Sequence, residues 1–328
     1  MKEKIKMKKV NLFKKIEKEI MKTKSIFIGI AIAIFTIACA GLFSDTAAQQ
    51  SVNDSTYVDK IAFYSNRSGS PQIYLMNADG SGLVRLTSTS SKDRSPSISP
   101  DGTRIAFASD RDGKSRIWIM NIDGSGQRRL TDSPEEEILP SWSPDGKKVF
   151  FQIELKGGNS ILCRADADGG GFQRLTDGSV GYNYPKVSPD GTKLLCNGPD
   201  FQVFVMGVDS GRPRKIGTGE VMRMVPAWSP DSRRIAFGLL HGTPPNHTTE
   251  IGIMNADGSQ DAAVTADKSV NEFPCWSPDG KQIAFQSCRD GNFEIYVMNA
   301  DGTHPVRLTD DPKFDGAPSW GLINMKKN

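Results

Sequence analysis

The sequence predicts an all-β chain closed into one six-bladed β-propeller of four-stranded antiparallel blades, and three observations predict it. A Ser-Pro-Asp-Gly element recurs at intervals of 41 to 48 residues, at 99–102, 143–146, 188–191 and 277–280, with Ser229 to Ser232 as a variant ending in serine. Each interval holds four short strand-like runs, the signature of a propeller blade. First and second strands of the unit each occur six times but are offset, so the chain can finish its first blade only with its last strand.

The unit from Pro140 to Thr176 shows the elements in order: PSWS, the turn PDG, KKVFFQIE, a polar gap, ILCRAD, the turn ADGGG, and FQRLT. β-Branched and aromatic residues fill the strands, and the Asp-Gly pairs supply turns in which glycine takes a positive φ. Helical repeats of similar period are excluded, because a proline and several Asp-Gly pairs interrupt every unit before a helix reaches a stable length. Second strands begin at Ile61, Ile105, Val149, Leu194, Ile235 and Ile283, and first strands at Pro96, Pro140, Pro185, Pro226, Pro274 and Pro318. Residues 317–321 should therefore pair with the strand beginning at Lys60, a closure that leaves no open sheet edge.

The 328 residues are 37% hydrophobic and 24% charged, the balance of an ordinary globular protein. The net charge of +3 comes from ten lysines against three glutamates in residues 1–24; beyond Ala48, 31 basic residues face 34 acidic ones. The body has no basic excess of the kind that nucleic-acid binding requires, so nucleic acid is not an expected partner. Ser25 to Phe43 is a nearly unbroken apolar run behind the lysine-rich leader, followed by Thr46, Ala47 and Ala48, and reads as an export signal. Cleavage after Ala48 is the first expectation. Lipid attachment at Cys39, in the segment Thr36-Ile37-Ala38-Cys39, and retention as a signal anchor are the alternatives. The expected organisation is a signal at 1–48, a linker at 49–59, the propeller at 60–321 and a tail at 322–328.

The units P-x-W-S-P-D-G-x-x-I-A-F, I-Y-x-M-N-A-D-G and R-L-T closely resemble the WD-like repeats of the TolB family, over residues 60–321. The resemblance implies the propeller fold and a binding role; with the export signal, the expectation is an exported, monomeric propeller without a cofactor that binds an envelope protein or peptide. One family member contacts a peptidoglycan-associated lipoprotein, and similar propellers cap proteases or form pectate-degrading lyases. The family's leading α/β domain is not expected here, since only about ten residues separate Ala48 from the first strand. Membrane contact is expected only through the N-terminal segment or a lipid anchor.

Catalytic motifs are sparse. No Gly-x-Ser-x-Gly nucleophile elbow occurs. His241 and His247 lie in the longest insertion, 239–250, read as a loop between the second and third strands of one blade; they are weak metal candidates because no carboxylate is positioned with them. His304 follows an Asp-Gly turn. The Asn-Ala-Asp-Gly segment at 77–80 fails the EF-hand pattern, since Leu75 and Leu86 would occupy the first and twelfth ligand positions. Cys163, Cys196, Cys275 and Cys288 lack metal-binding spacing and read as apolar filling. Trp142, Trp228, Trp276 and Trp320 share one position with Ile98 and Val187, which points to packing between blades.

In a four-stranded meander the Pro-Asp-Gly and Ala-Asp-Gly turns share one face, and the variable loops share the other, where recognition usually sits. The blade-to-blade loops carry Lys92, Asp93 and Arg94; Glu135, Glu136 and Glu137; Tyr182, Asn183 and Tyr184; Arg223; Asn271 and Glu272; Phe314 and Asp315. These are the expected partner-binding residues around the channel mouth. Arg67, Arg111 and Arg289 either reach the same rim or pair with aspartates between blades. The alternative function is an enzyme acting on an oligosaccharide or peptide through His241, His247 or the acidic run at 135–137.

Overall fold

The computed structural model describes residues 57–209, 212–243 and 246–325. The proposed signal, its cleavage point and Cys39 lie outside these residues. No helix among the described residues is long and apolar enough to cross a membrane.

Six four-stranded antiparallel sheets form the blades, and one short 3-10 turn at Pro199–Phe201 interrupts the all-β pattern. Blades two to six each run through consecutive strands and begin with innermost strands Asp93–Ile98, Glu136–Trp142, Asn183–Val187, Arg223–Trp228 and Asn271–Trp276. Blade one is assembled from both ends: Asp315–Asn324 is its innermost strand, beside Tyr57–Ser65, Gln72–Asn77 and Val84–Arg85. Neighbouring innermost strands pack in sequence order and the last packs on the first, closing the ring. The closure predicted for residues 317–321 is present and longer, because the pairing runs from Ser65↔Asp315 to Tyr57↔Asn324. The insertion read as a loop is instead strand: Gly242 pairs with His247 and His241 with Thr248, extending the blade-five hairpin.

Packing explains the repeat. The third residue of each second strand is Phe63, Phe107, Phe151, Cys196, Phe237 or Phe285, and each is wholly buried. Cys196 thus fills a phenylalanine position, and burial pushes its thiol up to about 12. The indole N–H groups of Trp142, Trp228 and Trp276 donate to the Ser97, Lys186 and Ala227 carbonyls of the preceding blades, at 2.9, 3.2 and 3.2 Å. Arg104 and Arg234 stack on Trp142 and Trp276 from those same blades.

Ser-Pro-Asp-Gly is a self-contained turn. The Ser99 hydroxyl donates to Asp101 at 2.6 Å and accepts the Arg104 N–H at 2.9 Å, and the same pair of bonds recurs at Ser143, Ser188, Ser229 and Ser277. The glycine of the other turn has a second duty. Gly302 has φ +87°, and a Cβ there would lie 1.9 Å from the Val264 carbonyl oxygen of the preceding blade. Only glycine allows both the turn and the close approach.

A candidate binding site at the channel mouth

At the mouth, every innermost strand carries a bulge at the same place. The residue before its proline is Ser95, Leu139, Tyr184, Val225, Phe273 or Ala317, with φ between 50° and 57°. Pairing with the second strand slips across each of these positions. A residue before proline normally takes an extended backbone, and a left-handed one costs a non-glycine residue about 1–3 kcal/mol. The neighbouring blade restrains three of the six. Gln152 accepts the Tyr184 N–H at 3.4 Å, Asn197 accepts that of Val225 at 2.9 Å, and Gln286 accepts that of Ala317 at 3.0 Å. Asn197 also donates to the Arg223 carbonyl at 2.6 Å.

The bulges bring their side chains to the channel wall. Tyr184 of blade four and Phe273 of blade six meet edge to face at 6.0 Å, skipping blade five and so reaching across the opening. Around this pair stand Tyr64, Arg94 and Glu272. The Tyr64 hydroxyl is raised by burial and feels both Arg94 and Glu272. That of Tyr184 is raised by burial, then by Glu272, Tyr64 and Glu154. Burial also raises Glu272, against the lowering effect of a 3.1 Å hydrogen bond from Gln286 and of nearby His247. Phe314 stacks on Tyr64 at 5.0 Å. A cleft beside them joins Lys92, Arg94 and Lys114 to the exposed, cross-strand pair Glu136 and Glu154.

The predicted rim residues divide into two sets. Arg94 and Glu136 are exposed, and Tyr182, Asn183, Tyr184, Glu272 and Phe314 are half-buried. Asp93, Glu137, Arg223, Asn271 and Asp315, by contrast, are 0–2% exposed and turn into the blades, away from any partner's reach. Arg111 lies 3.0 Å from Asp93, Arg67 lies 2.5 Å from Asp315, and Arg289 donates to Asn271 at 3.1 Å and pairs with Asp267 at 2.6 Å. Each arginine's Nε donates to a serine of its second strand, Ser109, Ser65 or Ser287. Each guanidinium also covers two rings, as Arg111 covers Phe107 and Trp118. The arginines therefore serve as internal clamps: all three hold their own blades, and Arg289, through Asp267, and Arg67, beside Asp311 at 3.9 Å, also reach the loops that join neighbouring blades. Glu137 accepts from Thr131 and the Ile117 N–H, and Arg223 pairs with Asp261.

His241 and His247 sit one register step apart across the hairpin, so they face opposite sides of the sheet. His241 lines a cleft with Glu220, Met222 and Asp261, whereas His247 lies towards Glu272. They do not converge on one site. Sequence reasoning missed Tyr64, Glu154 and Phe273; the signal available was Phe273's place before the recurrent proline.

The family model described as the TolB β-propeller domain matches residues 90–198 and 196–322. The protein TolB homolog of Chlorobaculum tepidum is 37% identical over 65 residues, covering 20% of this chain and 14% of that protein. The Tol-Pal system protein TolB of Geobacter sulfurreducens is 41% identical over 61 residues, covering 18% of this chain and again 14% of its own length. These alignments thus span about one-seventh of the length of the curated relatives. Among solved structures, TolB from Acinetobacter baumannii superposes with a TM-score of 0.67 at 20% identity, covering 80% of this chain and 66% of that one, which shows the shared fold. Since the family model covers well over half of the sequence, the chain belongs to the TolB β-propeller domain family.

Proposed function

We propose that this protein is an exported, non-catalytic propeller that binds an envelope protein or peptide at the mouth of its channel. The observation that carries the reading is the cluster of Tyr64, Arg94, Tyr184, Glu272 and Phe273, gathered from four blades, with Tyr184 and Phe273 on strained bulges and Tyr184 clasped by Gln152. Tyrosine and arginine on a rigid, partly desolvated surface are the usual anchors of a protein interface. Export is supported by the signal-like N-terminal sequence and by the similarity to a Tol-Pal system protein.

Site-specific photocrosslinking tests the reading. A photoreactive residue at Arg94 or Glu272 of the full chain, expressed in its native envelope, should trap one defined envelope protein or peptide. The same group at Asp145, in a turn of the opposite face, should not. Equal capture from both faces, or none from the mouth, would overturn the proposal.

A further inference from the structure

The channel holds a cavity of about 450 Å³ that shares Ser95, Leu139 and Tyr184 with the charged cleft at the mouth. Its wall runs from the bulge residues to the prolines of the Ser-Pro turns, and Trp142, Trp228, Trp276 and Trp320 contribute to it. Among the described residues of this wall Lys186 alone carries a charge. Its ammonium has no hydrogen bond or ion pair among the described residues. The titratable group nearest in influence is the Cys275 thiol of blade six, which burial holds neutral and which accepts the Trp320 N–H at 3.1 Å. It supplies no counter-charge.

An ammonium set in an apolar wall without a partner is unfavourable, and this wall pulls the pKa of Lys186 down by desolvation. A carboxylate beside it would reverse that effect. Cavities of a few hundred Å³, mostly apolar and with one or two fixed polar groups, are the usual form of small-molecule sites. We propose that the channel binds a small amphipathic monocarboxylate, with its carboxylate on Lys186 and its apolar body among the tryptophans and prolines. Tyr184 and Phe273 border both this cavity and the partner surface at the mouth, whereas Lys186 and the tryptophans line the cavity; the proposal does not require a partner at the mouth.

Calorimetric titration of the purified full chain with decanoate, decylamine and decanol tests the proposal. Decanoate should saturate one site per chain, and decylamine should bind at least about tenfold more weakly. Lys186→Met should lower decanoate affinity by about tenfold or more while leaving decanol binding unchanged, and Lys186→Arg should retain decanoate. Absence of saturable decanoate binding, or equal binding of decanoate and decylamine, would overturn the proposal without any variant being needed. So would undiminished decanoate binding by Lys186→Met, or Lys186-dependent capture of a free peptide carboxyl terminus when decanoate does not bind.

Discussion

The two faces of the ring use similar residues in opposite ways. On the turn face, Ser-Pro-Asp-Gly repeats because each copy satisfies its own hydrogen bonds, and Asp145 and Asp190 are held below the usual carboxylate range by the Ser143 and Ser188 hydroxyls. On the mouth face the backbone repeats, with six bulges, while the side chains do not: Ser95, Leu139, Tyr184, Val225, Phe273 and Ala317 occupy one position. A face whose chemistry is locally complete has little left for a partner. A conserved backbone carrying unlike side chains is a scaffold for recognition. The same contrast appears within two residues of one strand, where Asp93 is buried against Arg111 and Arg94 stands in solvent.

Substitutions can break this contrast, and the largest effect belongs to the buried member. Asp93→Ala leaves the Arg111 guanidinium without its carboxylate and should cost about 3 kcal/mol, read from chemical denaturation. Next comes Asp315, whose carboxyl burial pushes up to about 6 from 3.8. A folded-state pKa above the unfolded one means that stability is fully present below about pH 4 and is lost as pH rises towards 6. The difference between wild type and Asp315→Asn should therefore change by on the order of 2 kcal/mol across that interval, whereas a flat difference would contradict the assignment.

Asn197→Ala removes the clasp on the blade-five bulge and leaves the buried Val225 N–H and Arg223 carbonyl unsatisfied, for an expected loss of about 1–3 kcal/mol. Ser95→Gly relieves a left-handed serine and should raise the thermal midpoint, by the equivalent of up to about 1 kcal/mol. The smallest effect on stability sharpens the contrast most. Arg94→Ala should stay within about 0.5 kcal/mol of wild type, yet weaken capture of the envelope partner at Glu272.

Much of the fold was legible because its signals are local. Turn glycines, alternating strands and the offset between Pro318 and Ile61 require only knowledge of the neighbouring residues, so blade number and closure could be counted. The rim was only half legible. Asp93 and Arg94, or Asn271 and Glu272, look alike in sequence, and which of each pair enters the blade depends on strand register next to a bulge. The bulge itself runs against the local rule for a residue before proline, and its only trace is a proline recurring at one place in six strands. The insertion at 239–250 misled for a related reason: its Pro-Pro pair suggested a loop, while cross-strand pairing from Leu239↔Glu250 to Gly242↔His247 carried the strands onward.

The amino-acid sequence by itself determined the six-bladed ring, the turn face and the need for the two ends to meet in one blade. Those features follow from short-range periodicity repeated often enough to be unmistakable. Only the tertiary structure decided which polar side chains are clamps and which are free, that Tyr184 and Phe273 meet across the opening, and that Lys186 carries the one charge among the described residues of the channel wall. Each of these depends on contacts between residues far apart in the chain, and closing the ring is what brings them together.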